Sequence, residues 1–335
     1  MPIGFDAGTY NLVSCQRNEE GEFVYKREVN AFLDIPLDNR FVFQMMKKAG
    51  VPLIERENVA YALGEAAVNM AYTMSQLELK RPMVAGCVNP KERDAFQILK
   101  IMMHSLLDDV QDDNDVLYYS VPANAINEET DAEYHGKILE AIFKGFKKDG
   151  KQVQPFEVNE ALALVYAELS HKAYTGIGMS FGAGMVNVCF SMFGNPVFKF
   201  SLVNSGDWID KMAAKATGES IAFINQEKHK IDLSKAPETL VERAIQTQYS
   251  IMVEKTVSGI KNGLASMSDT VHVDKPIDVV IAGGTAMPNG FHTLFKDVLA
   301  QANMPIGIGE VIKPKDPLYS VARGCLLVAE AAVNS

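Results

Sequence analysis

The segment IGMSFGAGMVNVC (Ile177–Cys189) repeats features of an earlier one, IGFDAGTYNLVSC (Ile3–Cys15). The two share Ile, Gly, Gly and Cys at equivalent places, and each is a glycine-rich turn between apolar runs, which is typical of a β-hairpin. Such a turn exposes backbone N–H groups that phosphate oxygens can approach closely. We therefore expect two similar turns that face each other and hold a polyphosphate between them.

The composition limits the classes of protein to which this chain can belong. The 335 residues are 47% hydrophobic and 22% charged, which is ordinary for a globular chain long enough for two domains. A net charge of -10 argues against a general nucleic-acid binder, which needs a basic face. Four well-separated cysteines without a C-x-x-C pair indicate reduced thiols in a cytoplasmic protein. We find no signal-peptide pattern and no apolar run of about 18 residues, so no membrane span is expected.

The order of predicted elements in the first half recurs in the second. The clearest are a buried strand at Asp115–Asn124, a helix that Gly150 stops, a short strand at Gln154–Glu160 that enters a helix, and a strand, Gly-Gly turn and helix at Ile277–Ala300. This order predicts two similar α/β domains. Each is interrupted by a charged, helix-rich insertion with few strand signals.

Two carboxylates stand near the predicted phosphate turns. Asp6 would repel phosphate itself, so its predicted role is to hold Mg²⁺, through water. Glu160 opens a helix after a short strand, where it could orient or deprotonate a water aimed at a terminal phosphate. On position alone, Glu160 is better explained as an acid that stabilises a helix N-terminus. Either glycine turn alone is also simply a tight turn, and the repeat is what favours a functional reading.

Five segments occur in the order of the nucleotide-site motifs of the actin, DnaK-type chaperone and sugar-kinase superfamily. GFDAGTYN, VNEALALVYAEL, SFGAGMVNV, VIAGGTAMPNGF and DPLYSVARGCLL resemble phosphate 1, connect 1, phosphate 2, adenosine and connect 2. YALGEAAVNMA (Tyr61–Ala71) followed by LKRPMVAGCV (Leu79–Val88) resembles bacterial actins of the MreB and MamK type. The resemblance implies an actin-like α/β fold, with two ribonuclease H-like domains around a nucleotide cleft.

The resemblance also implies domain limits. The core of domain I (IA) would comprise 1–30 and 84–165, with subdomain IB inserted at 31–83. The core of domain II (IIA) would comprise 166–216 and 273–335, with subdomain IIB inserted at 217–272.

Roles follow from the resemblance residue by residue. Glu160 matches the acid that positions the hydrolytic water, and Asp6 matches the acid that organises the metal. The nucleotide-binding candidates lie in the two phosphate turns, the segment NSGDWIDKM, the helix INQEKHKIDL and the adenosine turn: Gly8, Thr9, Tyr10, Asn11, Ser180, Gly182, Ala183, Gly184, Gly206, Asp207, Asn225, Glu227, Lys228, Gly283, Gly284, Thr285 and Met287. For the three on the INQEKHKIDL helix, a solvated polar face is an equally good reading. The implied cofactors are ATP or ADP with Mg²⁺.

Three positions depart from the superfamily pattern. Ser180 stands where the phosphate-2 motif D-x-G-x-G-T has aspartate, Met185 stands where it has threonine, and Ala161 replaces a common proline. Serine can donate a hydrogen bond but brings no negative charge. Because backbone N–H groups and Mg²⁺ do most of the binding, we expect ATP binding with slow or altered hydrolysis.

The leading functional hypothesis is a cytoplasmic actin-like ATPase that polymerises with itself into cytoskeletal filaments. One alternative is a non-polymerising ATPase that acts as a switch or assembly adaptor, which the Ser180 substitution makes more credible. A small-molecule kinase is a third. Accessory proteins are expected but unidentified, nucleic acid is not expected as a partner, and membrane attachment stays open.

Overall fold

A computed structural model describes residues 1–74, 77–107, 115–147, 150–267, 273 and 275–334. In chain order, its strands are β1 (Ile3–Ala7), β2 (Asn11–Arg17), β3 (Phe23–Val29), β4 (Phe32–Pro36), β5 (Leu53–Arg56), β6 (Val59–Leu63), β7 (Met83–Val84), β8 (Cys87–Val88), β9 (Asp115–Val121), β10 (Val153–Asn159), β11 (Gly176–Phe181), β12 (Val186–Met192), β13 (Asn195–Leu202), β14 (Ile277–Ala282) and β15 (Ile308–Ile312).

The α-helices follow the same order. They are α1 (Arg40–Lys48), α2 (Gly64–Thr73), α3 (Ala95–Ser105), α4 (Ala132–Lys144), α5 (Glu160–Glu168), α6 (Gly206–Thr217), α7 (Ile221–Lys230), α8 (Leu240–Ser266), α9 (Phe291–Gln301) and α10 (Ser320–Val333).

Two five-stranded sheets share one topology. The first has the order β3-β2-β1-β9-β10 and the second β13-β12-β11-β14-β15. In each, a central strand pairs antiparallel with the next strand of its hairpin and parallel with a later strand on its other side. The repeat seen in the sequence is therefore a structural repeat, and the expected pair of similar α/β units is confirmed.

The shared glycine and cysteine of the repeat have a packing role. Gly4 lies directly opposite Cys15 in the first sheet, and Gly178 lies directly opposite Cys189 in the second. A Cβ on Gly4 would overlap backbone atoms of α10, and a Cβ on Gly178 would overlap backbone atoms of α5. Each pair therefore forms a flat patch against which one helix backbone packs.

The two helices on these patches are exchanged between the units. Helix α5 follows the first sheet but packs on β11 and β12 of the second, while α10 follows the second sheet and packs on β1 of the first. They also contact one another closely. A Cβ on Gly324 of α10 would overlap the carbonyl oxygen of Ala163 of α5. This exchange places Glu160, the first residue of α5, between the two sheets.

The expectation of few strands in the first insertion is wrong. A three-stranded antiparallel sheet, β4-β6-β5, packs there with α1 and α2. Three of the five residues of β4 are buried and three of the four residues of β5 are exposed, so neither shows the period-two alternation that reveals a strand. The second insertion is helical as expected, built from α7 and α8, and its residues 268–272 lie outside the described residues.

Helix α4 ends earlier than the sequence suggested. It stops at Lys144 instead of continuing to Gly150, and the Gly145 N–H still donates to the carbonyl oxygen of Ala141 (3.0 Å). Phe146, which continues the apolar spacing, is buried in the core from outside the helix. Within the described ranges, no helix is both long and apolar enough to cross a membrane.

Candidate functional site

A cavity of about 560 Å³ lies between the two sheets. It is lined by the β1–β2 turn, the β11–β12 turn, the starts of α5 and α6, helix α7 and the turn that follows β14. The predicted site residues that line it are Asp6, Gly8, Thr9, Tyr10, Asn11, Glu160, Ser180, Gly182, Ala183, Gly184, Asp207, Asn225, Lys228, Gly283, Gly284, Thr285 and Met287.

Two predicted residues do not line the cavity. Gly206 lies behind the lining, where its N–H donates to Gly182 O (3.2 Å) and its carbonyl accepts from Lys228 Nζ (2.8 Å). Glu227 lies on a different face of α7 from Lys228 and accepts a hydrogen bond from Lys230 Nζ (2.7 Å). A role for Gly206 and Glu227 in nucleotide binding stays a prediction.

The two glycine turns have the same local geometry. A Cβ on Gly8 would lie 2.7 Å from the carbonyl oxygen of Asn11, and a Cβ on Gly182 would lie 3.0 Å from that of Met185. Both distances are shorter than ordinary contacts, so each turn needs glycine at its first position. The second glycine of the repeat is thus explained by the turn itself.

The turns also meet across the cavity. A Cβ on Gly184 would overlap both the Thr9 hydroxyl oxygen and the backbone nitrogen of Gly86, which lies in the β7–β8 turn. Gly86 in turn packs against the thioether of Met185. Met185, one of the departures from the superfamily motif, therefore contacts the first half of the chain.

The two acids are partly buried and hydrogen-bonded. Asp6 Oδ1 accepts from Ser120 Oγ (2.8 Å), and Glu160 Oε2 accepts from Asn187 Nδ2 (2.8 Å). Ser180 is 3% exposed, and its side chain lowers the pKa of the neighbouring Glu160 carboxyl. The residue that replaces the usual phosphate-2 aspartate thus lies beside the predicted catalytic acid.

Burial governs the protonation of this pair. It raises the pKa of Asp6 to about 6, against the opposing hydrogen bond from Ser120. Burial, reinforced by the negative charge of Asp6, raises the pKa of Glu160 to about 8, against the opposing hydrogen bond from Ser180. With no cation bound, Glu160 is therefore mainly protonated at pH 7 while Asp6 is mainly ionised. An aspartate at position 180 would add a third acid to this pair.

The donor atoms around the acids suit a hard cation. Mg²⁺ prefers oxygen ligands and is usually held by one or two carboxylates together with substrate phosphates. Asp6 and Glu160 could supply the carboxylates. Among the described residues there is no cluster of three or more His, Cys, Asp or Glu side chains that could hold a metal ion.

Sequence reasoning missed three residues of the site. Asn187 interrupts an apolar strand at the place where the first repeat has Val13, and that polar-for-apolar difference could have revealed it. Ser120 lies in the predicted strand Asp115–Asn124, but nothing in the sequence connects it to Asp6. Arg81, which pairs with Asp207 across the two units, gives no local signal either.

A profile of the volactin family matches residues 1–329, nearly the whole chain. The chain belongs to the volactin family. No curated protein matches this volactin sequence.

Solved structures relate the volactin chain to a known fold. MamK in a double helical filament is 18% identical with a TM-score of 0.72, over 98% of each chain. MreB5 of Spiroplasma citri bound to ADP is 15% identical with a TM-score of 0.65, over 99% of this chain and 98% of the other. The ethanolamine utilization protein EutJ from Carboxydothermus hydrogenoformans is 18% identical with a TM-score of 0.54, over 97% and 89%. These similarities confirm the actin-like fold.

Proposed function

We propose that this protein binds ATP or ADP with Mg²⁺ in the cavity, hydrolyses ATP slowly, and polymerises into cytoskeletal filaments in the cytoplasm. The observation that carries the proposal is the convergence of both glycine turns, the acid pair and the Gly283–Met287 turn on one cavity of about 560 Å³. Two similar solved structures support the nucleotide, since MreB5 is bound to ADP and a non-polymerising MamK mutant is bound to AMPPNP.

Different residues of the cavity would bind the nucleotide and promote its hydrolysis. Backbone N–H groups of the two turns would hold phosphate oxygens from both sides. Asp6, through water, would hold Mg²⁺, which when bound neutralises phosphate charge. Ionised Glu160, oriented by Asn187, would then orient a water or accept its proton.

Ser180 gives the physical reason for slow hydrolysis. Its hydroxyl supplies a hydrogen bond where an aspartate would supply a second charge near the water. Since the hydroxyl lies close enough to Glu160 to lower its pKa, it would compete with the water for that carboxylate. Phosphate binding through the backbone is left intact.

Polymerisation would follow from the fold. Nucleotide bound between the units favours their closed arrangement, and a head-to-tail contact between closed copies propagates into a filament. The similarity to MamK, whose solved structure is a double helical filament, supports self-association.

High-speed sedimentation with Mg²⁺-ATP, Mg²⁺-ADP and no nucleotide, followed by electron microscopy of the pellets, tests the proposal. We expect ordered filaments that depend on ATP. A protein that binds ATP but stays in the supernatant under all three conditions would refute polymerisation. That result would favour the second candidate, a non-polymerising switch or adaptor, which the absence of an acid at position 180 also favours.

A further inference from the structure

Arg81 joins the two α/β units at the edge of the cavity. Its Nη1 donates to both carboxylate oxygens of Asp207, at 2.7 and 2.9 Å. Its guanidinium carbon lies 5.0 Å from the ring centroid of Tyr10. Tyr10 belongs to the first glycine turn, and the backbone N–H of Asp207 donates to Ala183 O in the second (2.8 Å). The single side chain of Arg81 therefore links the two glycine turns.

The surroundings make this bridge sensitive to salt. The side chains of Arg81 and Asp207 are 25% and 20% exposed. Ion pairs with this partial access to water are weakened, but not abolished, by added salt. The guanidinium over the Tyr10 ring adds a cation–π contact that truncation to alanine would remove.

Both partners of Arg81 line the cavity, whereas Arg81 itself does not. Separation of the two units, which an enclosed ligand needs in order to leave, would pull Asp207 away from Arg81. Arg81 also neutralises a carboxylate that would otherwise repel bound phosphates. Both effects act in the same direction, towards retention of an anionic occupant.

We propose that Arg81 is a positioning residue that holds the two glycine turns together and sets how long a nucleotide stays bound. The inference rests on the proposed function, since it takes a nucleotide as the occupant of the cavity. It assigns the control of nucleotide release to a residue outside the binding motifs.

The test is the release rate of a fluorescent, ribose-labelled ATP, chased with excess unlabelled ATP in a stopped-flow instrument at 50, 150 and 500 mM salt. The variants are Arg81→Ala, Arg81→Asp and Arg81→Lys. Lys144→Ala is the matched control, because it removes a cation from an exposed ion pair with Glu140 on α4. Thermal melting of each nucleotide-free variant checks that it folds.

We expect Arg81→Ala to release the nucleotide about three- to tenfold faster than wild type, the range of a partly exposed ion pair and a stacking contact. Arg81→Asp should be at least as fast, and Arg81→Lys intermediate. Salt should accelerate release from the wild type more than from Arg81→Ala, a difference that a general loss of stability would not produce. Arg81→Lys supplies the same comparison if Arg81→Ala fails to fold.

Equal release rates and equal salt dependence in wild type and Arg81→Ala would overturn the inference and leave nucleotide binding intact. A faster rate of the same size in Lys144→Ala would also overturn it. A wild type that binds no labelled ATP would instead overturn the proposed function, and the inference with it.

Discussion

Substitution of Glu160 by glutamine should make the nucleotide-free protein more stable at alkaline pH. In the folded protein, burial raises the pKa of Glu160 to about 8, from 4.5 in an unfolded chain. Between these values the unfolded chain has lost the proton that the folded chain keeps, so stability falls as pH rises. Glutamine stays neutral and still accepts the hydrogen bond from Asn187. The stability of the variant therefore does not fall with pH through this residue.

The size of the effect follows from the pKa. The full difference between the folded and unfolded pKa values of Glu160 corresponds to about 5 kcal/mol of folding free energy. This is an upper bound, because the neighbouring Asp6 titrates together with Glu160. Asp6, with a pKa of about 6, is largely ionised above pH 6.5. From pH 6.5 to 8, Glu160 alone then accounts for about 2 kcal/mol. With an unfolding entropy of about 0.7 kcal/mol/K for this length, the wild type loses about 3 °C of melting temperature in that window.

The assay is thermal melting in EDTA at pH 6.5, 7.25, 8 and 9. The control variant is Glu254→Gln, which removes an exposed carboxylate on α8 and should track the wild type. We expect the Glu160→Gln curve to be flatter and to lie above the wild type at pH 9. Parallel curves for wild type and Glu160→Gln would refute the claim that Glu160 is buried in protonated form.

Three further predictions concern the same site and its support. Ser180→Asp should accelerate single-turnover ATP hydrolysis, because it restores a charge that orders the nucleophile. Mg²⁺ binding should release protons and weaken as pH falls from 8 towards 6, because the cation must displace protons from Asp6 and Glu160; isothermal titration calorimetry in two buffers of different ionisation enthalpy measures this. Gly178→Ala should destabilise the protein by about 1–3 kcal/mol or more through overlap with the Ala161 carbonyl on α5, which is read as a lower melting temperature.

Each of these has its own control. For Ser180→Asp, Ser180→Asn keeps the shape without the charge, and equal rates in the two variants would contradict the charge argument. For Mg²⁺, heats independent of the buffer would show that no proton leaves. For Gly178→Ala, the comparison is Gly284→Ala, which adds the same Cβ at a position where it would meet no atom within 4 Å. A melting temperature of Gly178→Ala equal to the wild type would contradict the close approach of α5.

Local signals in the sequence predicted much of the fold. The repeat between Ile3–Cys15 and Ile177–Cys189 predicted two similar α/β units, because both the turns and the apolar runs around them are local signals. The sheet within 31–83 was not predicted, since β4 is mostly buried and β5 mostly exposed, without a clear alternation. A strand shows its period only where it has one buried and one exposed face.

The sequence also predicted only part of the candidate site. The positions that line the cavity belong mostly to short motifs, which chain order alone reveals. Their chemical state does not follow from order, because the raised pKa of Glu160 depends on burial between two sheets and on the nearness of Asp6, far away in the chain. Arg81 and Asp207 are likewise paired only by the folded chain.

The repeat itself shows both limits. The sequence shows that Ile, Gly, Gly and Cys recur, and it predicted a phosphate-binding role for the turn glycines Gly8 and Gly182. The folded structure assigns a separate role to the other pair, Gly4 and Gly178, which admit the backbones of α10 and α5. A helix backbone can pack this closely on a strand only where the strand residue has no Cβ. A glycine in the sequence is consistent with such a contact, but it does not show which distant helix makes it.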